Sequence, residues 1–290
     1  MTSLGAVFLP QLPPERLREV ALAADASGLD ELWLWEDCFF EGGVSTAAAA
    51  LAWTERVRVG VGLLPVPLRN AALAAMEAAV LHRTFPGRAE LVLGHGVQSW
   101  MAQVGARVAS PLTLLEEHLR AQRRLLAGEE VTTSGRYVSL EGVRLDWPPT
   151  GPVRVLTGAE GPKTLELAGR AADGTVLVAG TTPDRLREAR SRIDVGRAAA
   201  GRTDDHRVVV YLLAATGPDA AERMARSRAS WSLPDERGVC VAGTAEEVAG
   251  AVRALADAGA DVVVLQPTAD DPDPAAFAAF AGEQVRPLLA

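Results

Sequence analysis

Eight short apolar segments recur along the chain, and amphipathic stretches separate them. The apolar segments are rich in Val and Leu, too short for helices and mostly without polar alternation, which is typical of parallel strands buried on both faces. They span residues 5–10, 31–35, 57–63, 90–94, 153–157, 175–179, 208–214 and 261–266. Strands that alternate with helices in this number predict one closed (β/α)8 TIM barrel rather than an open doubly wound sheet.

Helix-like stretches fill the intervals between these segments. In residues 14–27, Leu17, Val20, Ala21 and Ala24 share one face and Gly28 follows, as expected of an amphipathic helix that ends at a glycine. The same reasoning predicts helices over residues 70–83, 111–127, 162–171, 183–200, 219–229, 245–258 and 274–289.

Three segments depart from this rhythm. Residues 128–150 alternate polar and apolar positions around two turn sequences, which predicts a small hairpin inserted before the fifth barrel strand. Residues 96–111 and 230–242 form long connections. We expect these loop insertions on the C-terminal face of the barrel, where barrel enzymes carry their sites. No change in composition marks a second domain, so residues 1–290 are predicted to form one barrel domain.

Composition and charge narrow the class of partner. The formal net charge of −8 disfavours nucleic acid and anionic membrane surfaces, since both reward clustered Lys and Arg. No segment has the length and apolarity of a membrane span, and the N-terminus lacks a leader pattern, so we expect a cytoplasmic protein. Cys38 and Cys240 lie far apart in sequence, which predicts neither a disulfide framework nor a metal site.

The residues that follow the predicted strands predict a ligand site. Segments 35–39, 62–65, 94–97, 157–164 and 179–182 end five of the strands, and four of the five contain glycine. Glycine lets the backbone approach a planar ligand or a phosphate closely. Because the C-terminal strand ends of a barrel share one face, these glycines are predicted to gather around one site.

Residues 158–164 carry the strongest physical signal among these segments. Gly158 and Gly161 free the backbone, and Pro162 fits the first turn of a helix whose free amides favour an anion. Lys163 is the single lysine among 29 basic residues, which indicates a position that arginine does not fill equally well. The segment predicts a phosphate site, with an ordinary strand–helix turn as the alternative.

Six segments in this order resemble the bacterial luciferase-like flavin enzymes, and most closely their branch that uses coenzyme F420, a 5-deazaflavin. They are residues 54–60 (TERVRVG), 65–70 (PVPLRN), 85–88 (FPGR), 93–97 (LGHGV), 158–164 (GAEGPKT) and 172–174 (ADG). The resemblance covers nearly the whole chain and implies the barrel fold, a homodimer and a tricyclic ring at the barrel mouth. It also implies a non-proline cis peptide at Gly62-Leu63 against the ring, and the cofactor phosphate at residues 158–164.

Combined, the strand ends and the resemblance give a set of cofactor-binding residues. These are Asp37, Cys38, Gly62, Leu63, Gly94, Gly96, Val97, Gly158, Ala159, Gly161, Pro162, Lys163, Thr164 and Gly180.

Catalytic roles are harder to assign, because Cys38 stands where the family commonly has a histidine. Asp37 is interpreted as a carboxylate that hydrogen-bonds the ring or exchanges a proton with substrate, with capping of local amides as the alternative. His95, between two glycines, is either a proton donor or a packed barrel residue. Cys38 is interpreted as a small residue under the cofactor rather than a nucleophile. Strand alternation turns Glu36 to the opposite face, where a structural role and a functional role weigh equally. The aromatic residues of this region are expected to line the barrel core or the cleft.

The leading interpretation is therefore an F420-dependent oxidoreductase that transfers a hydride between a deazaflavin and an unidentified small-molecule substrate. The enzymatic alternative is an FMN-dependent luciferase-like monooxygenase, because a phosphate pocket serves both cofactors. The alternative of another class is a non-catalytic flavin-binding protein, which should lose the polar groups near the ring; Asp37 and His95 argue against it.

Overall fold

A computed structural model describes residues 2–234 and 236–289. Its strands are β1 (Ser3–Val7), β2 (Glu31–Leu34), β3 (Arg58–Pro65), β4 (Ala89–Gly94), β5 (Val131–Ser134), β6 (Ser139–Val143), β7 (Leu156–Gly158), β8 (Gly174–Leu177), β9 (Arg207–Ala215), β10 (Cys240–Ala242) and β11 (Val262–Gln266). Eight of them pair in parallel in the order β1-β2-β3-β4-β7-β8-β9-β11, and β11 returns to β1. The predicted closed barrel is confirmed, with a strand in each of the eight predicted apolar segments.

Helices cover the outside of the barrel. They are α1 (Leu17–Ala26), α2 (Gly43–Trp53), α3 (Ala71–Thr84), α4 (Gln98–Gln103), α5 (Pro111–Leu126), α6 (Pro162–Ala171), α7 (Pro183–Ala199), α8 (Ala220–Ser230), α9 (Ala245–Asp257) and α10 (Pro274–Phe280). After α10 the chain continues through a π-helical turn (Ala281–Val285) and a 3-10 turn (Arg286–Leu289), so the predicted helix over 274–289 is broken into three pieces. Across the described part of the chain, no helix is both long and apolar enough to cross a bilayer.

The barrel interior is filled by aromatic side chains. Trp33 on β2 is fully buried, and a Cβ atom on Gly60 of β3 would lie 2.6 Å from its ring. Glycine at position 60 therefore makes room for an indole inside the barrel. Tyr211 on β9 meets Trp33 edge to face, with 6.0 Å between ring centroids. The pairing matches the edge-to-face geometry that aromatic rings prefer.

The floor of the barrel is ionic. Glu31 is 2% exposed and accepts a hydrogen bond of 2.9 Å from Trp33 Nε1. Its carboxylate also pairs with Arg58, at 2.6 Å, and with Arg207. A buried carboxylate is tolerated where several donors compensate for its lost hydration. This network ties the starts of β2, β3 and β9 together beneath the aromatic core.

The inserted hairpin corrects one expectation. β5 and β6 form the antiparallel pair predicted within residues 128–150, but the pair joins α5 to β7 and is therefore rooted at the amino-terminal end of the barrel. Glu117 on α5 accepts hydrogen bonds from the backbone amides of residues 136–138, so the hairpin packs along the outside of α5. The connection belongs to the opposite end because α5 returns the chain from the carboxyl end of β4 to the amino-terminal end of the barrel.

The other two insertions lie at the carboxyl ends of the strands, as predicted, and both contain structure that sequence patterning missed. Residues 96–111 include the short α4, and residues 230–242 end in β10, which pairs with the last residues of β9. The helix α2, between β2 and β3, was also missed. Its sequence, GVSTAAAALAW, is apolar on nearly every face, so no amphipathic stripe identifies it.

Candidate active site

The mouth of the barrel is formed by the segments after the carboxyl ends of its strands. At its centre, the Leu63 side chain of β3 lies across two neighbouring strands. A Cβ atom on Gly94 of β4 would come within 2.3 Å of Leu63 Cδ2, and one on Gly158 of β7 within 2.6 Å. Three predicted cofactor residues therefore form one apolar platform, which exists because two of them lack side chains.

The platform rests on the aromatic core. The Gly62-Leu63 peptide bond is cis, as the family resemblance implied, and the Gly62 carbonyl accepts a hydrogen bond of 3.4 Å from the Tyr211 hydroxyl. Burial raises the pKa of Tyr211, so its hydroxyl stays protonated and remains a donor. A Cβ on Gly62 would lie 2.4 Å from that hydroxyl, which excludes any larger residue there. Sequence reasoning missed Tyr211, although a tyrosine within a buried strand needs a partner for its hydroxyl.

Two carboxyl groups with perturbed pKa values lie in the segment that joins β2 to α2. Burial raises the pKa of Asp37 above its usual range, and burial raises the pKa of Glu41 to about 7. One oxygen of Glu41, Oε1, is shielded from solvent and has no hydrogen-bond partner among the described residues. Desolvation favours the neutral form of a carboxyl group, so Glu41 titrates near neutral pH. A carboxyl group poised in this way can act as a general acid or base. Sequence patterning gave no signal for Glu41.

Cys38 lies beside these carboxyl groups, and the Cys38-Phe39 peptide bond is also cis. Partial burial and the negative charges of Glu36 and Asp37 raise the pKa of the Cys38 thiol. A thiol held neutral in this way is a poor nucleophile. The chemistry agrees with the interpretation of Cys38 as a packing residue.

An ion pair holds this segment in place. Glu36 is 8% exposed and receives both terminal nitrogens of the Arg69 guanidinium, one of them at 2.7 Å. Glu36 also accepts a 2.7 Å hydrogen bond from the Gly43 amide at the start of α2, and Arg69 reaches Glu77 on α3 at 3.0 Å. These contacts give Glu36 a structural role, because it joins the end of β2 to the segment after β3 and to the start of α2.

The structure brings His95 to Thr164. His95 Nε2 lies 3.4 Å from Thr164 Oγ1, which links the segment after β4 to the first turn of α6. Burial lowers the pKa of His95, partly offset by a hydrogen bond to the Pro111 backbone, so the imidazole is neutral at neutral pH. A neutral imidazole next to a hydroxyl is suited to orienting a ligand by hydrogen bonding.

The start of α6 has the features of an anion site. Gly161 is its N-cap, no side chain caps the helix, and Pro162 occupies its first turn. Lys163 is exposed and makes no ion pair among the described residues. The Thr164 and Leu165 amides bond to the Gly161 carbonyl, so the first turn presents the amide of Lys163 and its unpaired ammonium group. Beside it, a groove of about 530 Å³ runs between the starts of α6 and α7 and residues 231–234, and includes Ala159 and Gly180.

The remaining predicted residues lie at the edge of this arrangement. Gly96 adopts a φ of +66°, and a Cβ there would lie 2.9 Å from Pro65, so this turn requires glycine. Val97 is the N-cap of α4 and is 46% exposed. A Cβ atom on Gly180 would lie 2.8 Å from Leu233 Cδ2, and the groove that contains Gly180 also contains Ala159 and Pro162.

No group of three or more His, Cys, Asp or Glu side chains within residues 2–234 and 236–289 is placed to hold a metal ion. A cavity of about 970 Å³ opens at the amino-terminal end of the barrel, where Arg58, Arg123 and Arg207 line it together with Glu90 and Asp173. These arginines pair with neighbouring carboxylates, so the cavity belongs to the ionic floor.

Comparison with known proteins agrees with this arrangement. Residues 3–236 match the family described as luciferase-like monooxygenase. A 5,10-methylenetetrahydromethanopterin reductase of Methanolobus tindarius is 33% identical over 221 residues, which cover 76% of this chain and 67% of that protein. An F420-dependent glucose-6-phosphate dehydrogenase of Kineococcus radiotolerans is 31% identical over 246 residues, covering 78% and 72%.

A solved structure gives the same fold over the full length. An F420-dependent secondary alcohol dehydrogenase, determined with an F420-acetone adduct, superposes with a TM-score of 0.88 at 21% identity, over 100% of this chain and 99% of that one. The chain belongs to the luciferase-like monooxygenase family.

Proposed function

We propose that this protein is a coenzyme F420-dependent oxidoreductase that transfers a hydride between the deazaflavin and a small-molecule substrate. The observation that carries the proposal is the platform of Leu63 over Gly94 and Gly158, which offers a flat apolar surface at the barrel mouth. Relatives named for F420-dependent oxidoreduction support the choice of cofactor.

The residues present fit this cofactor at two points. Leu63 would support the ring, since its side chain fills the space above two glycines. The amides at the start of α6, with Lys163, would hold the phosphate, because helix N-termini and unpaired cations both favour anions. The His95–Thr164 contact connects the segment after β4, next to the Leu63 platform, with the first turn of α6.

Side chains of the protein would donate or accept the proton of the reaction. When bound, the deazaflavin supplies or accepts the hydride. Reduction of a polar double bond also needs a proton at the heteroatom, and Asp37 and Glu41 are two carboxyl groups in the segment after β2 whose pKa values burial raises. His95, held neutral by burial, would orient rather than protonate.

The assembly we propose is a cytoplasmic homodimer. Leu73, Met76 and Val80 are 46%, 56% and 61% exposed and follow one another at positions i, i+3 and i+7 of α3. Large apolar side chains on one exposed helix face are typical of a subunit contact. A second copy of the chain is the simplest partner for such a face.

Ligand titration tests the cofactor assignment. Purified protein is titrated with oxidised F420 and separately with FMN, following ring fluorescence; F420 is expected to bind more tightly. Tighter binding of FMN would instead favour the luciferase-like monooxygenase chemistry described for the family. If neither binds, the non-catalytic flavin-binding alternative fails as well.

A pair of variants tests the phosphate assignment. Lys163→Ala should weaken F420 binding by about tenfold, the order expected when one charge-assisted contact is lost. Arg144→Ala serves as the control, since it removes one exposed positive charge from the segment after β6. Equal F420 affinity in the two variants would show that Lys163 does not hold the phosphate.

A further inference from the structure

Strand β3 is irregular where it reaches the mouth of the barrel. The register of its pairing with β4 shifts between Val61 and Leu64. Gly62 and Leu63 therefore oppose the single residue Val92, which is the geometry of a β-bulge. The register of β3 against β2 also ends before the bulge, at Val61. The backbone that carries the Leu63 platform therefore needs support from outside the regular ladder.

Tyr211 gives this support from the opposite wall of the barrel. It lies on β9, which is the fourth strand from β3 in either direction around the barrel. Its hydroxyl donates a hydrogen bond of 3.4 Å to the Gly62 carbonyl. Burial raises the pKa of this hydroxyl, so it keeps the proton that it donates. The Tyr211 side chain thus crosses the barrel interior and ends against the bulge.

The position of the Tyr211 ring is fixed by its neighbours. The residue is 4% exposed, and its ring lies edge to face with two indole rings, at centroid distances of 6.0 Å for Trp33 and 5.6 Å for Trp35. Leu63 packs against the same cluster of interior side chains. Because protein interiors are densely packed, the hydroxyl could move only if several large side chains moved with it. Tyr211 is therefore a rigid support for the bulge.

The contact between Tyr211 and Gly62 is steric as well as polar. A Cβ atom at position 62 would lie 2.4 Å from the Tyr211 hydroxyl and 3.1 Å from two atoms of the Trp33 ring. Only glycine lets the backbone approach the hydroxyl this closely. The hydrogen bond is longer than the about 2.8 Å that is typical of hydroxyl donors, so the contact acts more through position than through bond strength. Since Leu63 is the next residue, this contact sets how far its side chain stands above the barrel interior.

We propose that Tyr211 is a positioning residue for the deazaflavin ring, because it sets the height at which Leu63 meets that ring. The inference rests on the proposed function for the identity of the ring, and on the bulge, the hydroxyl contact and the buried aromatic cluster for the role of Tyr211. Tyr211 acts through Gly62 and Leu63 rather than on the reacting atoms. Ring height matters because the reacting atoms of a transfer step must come within about 3–3.5 Å of each other.

Two substitutions test this role in fluorescence titrations with F420 and with the phosphate-free ring compound 7,8-didemethyl-8-hydroxy-5-deazariboflavin. Tyr211→Phe removes the hydroxyl but keeps the aromatic ring, and should weaken binding of both compounds by about threefold. Gly62→Ala pushes the platform away from the hydroxyl and should weaken binding of both by about tenfold. The two compounds should lose affinity equally, since the support acts on the ring. A loss confined to F420 would overturn the proposal, because it would arise at the phosphate.

The double variant separates positioning from general damage to the fold. Tyr211→Phe removes the atom that lies nearest to the new methyl group, while the contacts with Trp33 remain. The protein with both substitutions should therefore bind F420 about threefold more tightly than Gly62→Ala alone, although Tyr211→Phe by itself weakens binding. It should also unfold at a higher urea concentration than Gly62→Ala alone, with no ligand present. Additive losses of affinity would overturn the proposal.

Tyr137→Phe is the matched control. It removes the hydroxyl of the other of the two tyrosines, which accepts a 2.9 Å hydrogen bond from the Ser110 amide between the inserted hairpin and the start of α5. Both affinities should be unchanged in this variant, and equal affinities in Tyr211→Phe and Tyr137→Phe would show that the Tyr211 hydroxyl does not position the ring. Wild-type protein that binds neither compound rejects the proposed function together with this inference. F420 binding with additive losses rejects this inference alone.

Discussion

Adding a single methyl group at Gly94 tests whether the Leu63 platform is what the cofactor rests on. A Cβ there would lie 2.3 Å from Leu63 Cδ2, 2.9 Å from Cδ1 and 3.0 Å from Cγ. Carbon atoms in contact normally stand about 3.5–4 Å apart, so the Leu63 side chain must move by more than about 1 Å toward the mouth. Overpacking of this size costs about 1–3 kcal/mol. We therefore expect Gly94→Ala to lower the free energy of unfolding by about 2 kcal/mol.

A double-mutant cycle separates this contact from other effects of the substitution. Leu63→Ala removes all three clashing atoms, so Gly94→Ala in that background should be nearly neutral, and the coupling between the two positions should be at least about 1 kcal/mol. Gly250→Ala is the control, because a Cβ at that helical glycine has no atom within 4 Å. It should stabilise the protein by about 0.5–1 kcal/mol.

Two measurements complete this prediction. Urea unfolding gives the free energies, and fluorescence titration gives the F420 affinity, which should fall by about tenfold or more in Gly94→Ala while Gly250→Ala retains it. Additive stability effects at positions 63 and 94 would refute the packing argument. Wild-type F420 affinity in a destabilised Gly94→Ala protein would refute the role of the platform in binding.

Three further variants address the surroundings of the site. Arg69→Ala leaves the buried Glu36 carboxylate unpaired and should cost about 3 kcal/mol in urea unfolding; a loss below about 1 kcal/mol would contradict the role of the ion pair. The pKa of Glu41 is raised from 4.5 to about 7, so the folded protein keeps a proton that the unfolded chain releases, and stability falls as pH rises between these values. Glu41→Gln should remove that loss in unfolding curves across pH, and an unchanged pH dependence would exclude Glu41 as its source. Met76→Glu should halve the mass in light scattering at equal concentration, whereas Val195→Glu, at another exposed apolar position, should not; a monomeric wild type would reject the dimer.

Local sequence patterns were sufficient to predict the barrel, because each strand is marked by its own apolar run. A parallel strand buried on both faces must be apolar at nearly every position, and a short run of Val and Leu records this directly. Helix α2 was not predicted, because its sequence lacks such a signal. Its alanines are compatible with any burial, so the sequence GVSTAAAALAW contains no periodic contrast to detect.

The candidate site likewise has some features that the sequence indicates and others that depend on the folded structure. Gly158, Gly161 and Lys163 lie close together in sequence, so the hypothesis of an anion site at the start of α6 could be drawn from one segment. Glu41 could not, because its raised pKa arises from burial, which depends on residues that fold around it. Tyr211 lies 149 residues from Gly62, and their hydrogen bond exists only in the closed barrel.

By itself, the sequence determined the eight-stranded barrel and the glycines at its mouth, since both follow from short-range propensity and spacing. It also carries the hypothesis of a phosphate site at residues 158–164. Only the tertiary structure decided that Leu63 lies across Gly94 and Gly158, that Arg69 secures Glu36, and that the hairpin is rooted at the opposite end from the site. These contacts join residues that are distant in the chain, and their geometry depends on how the closed barrel brings neighbouring strands together.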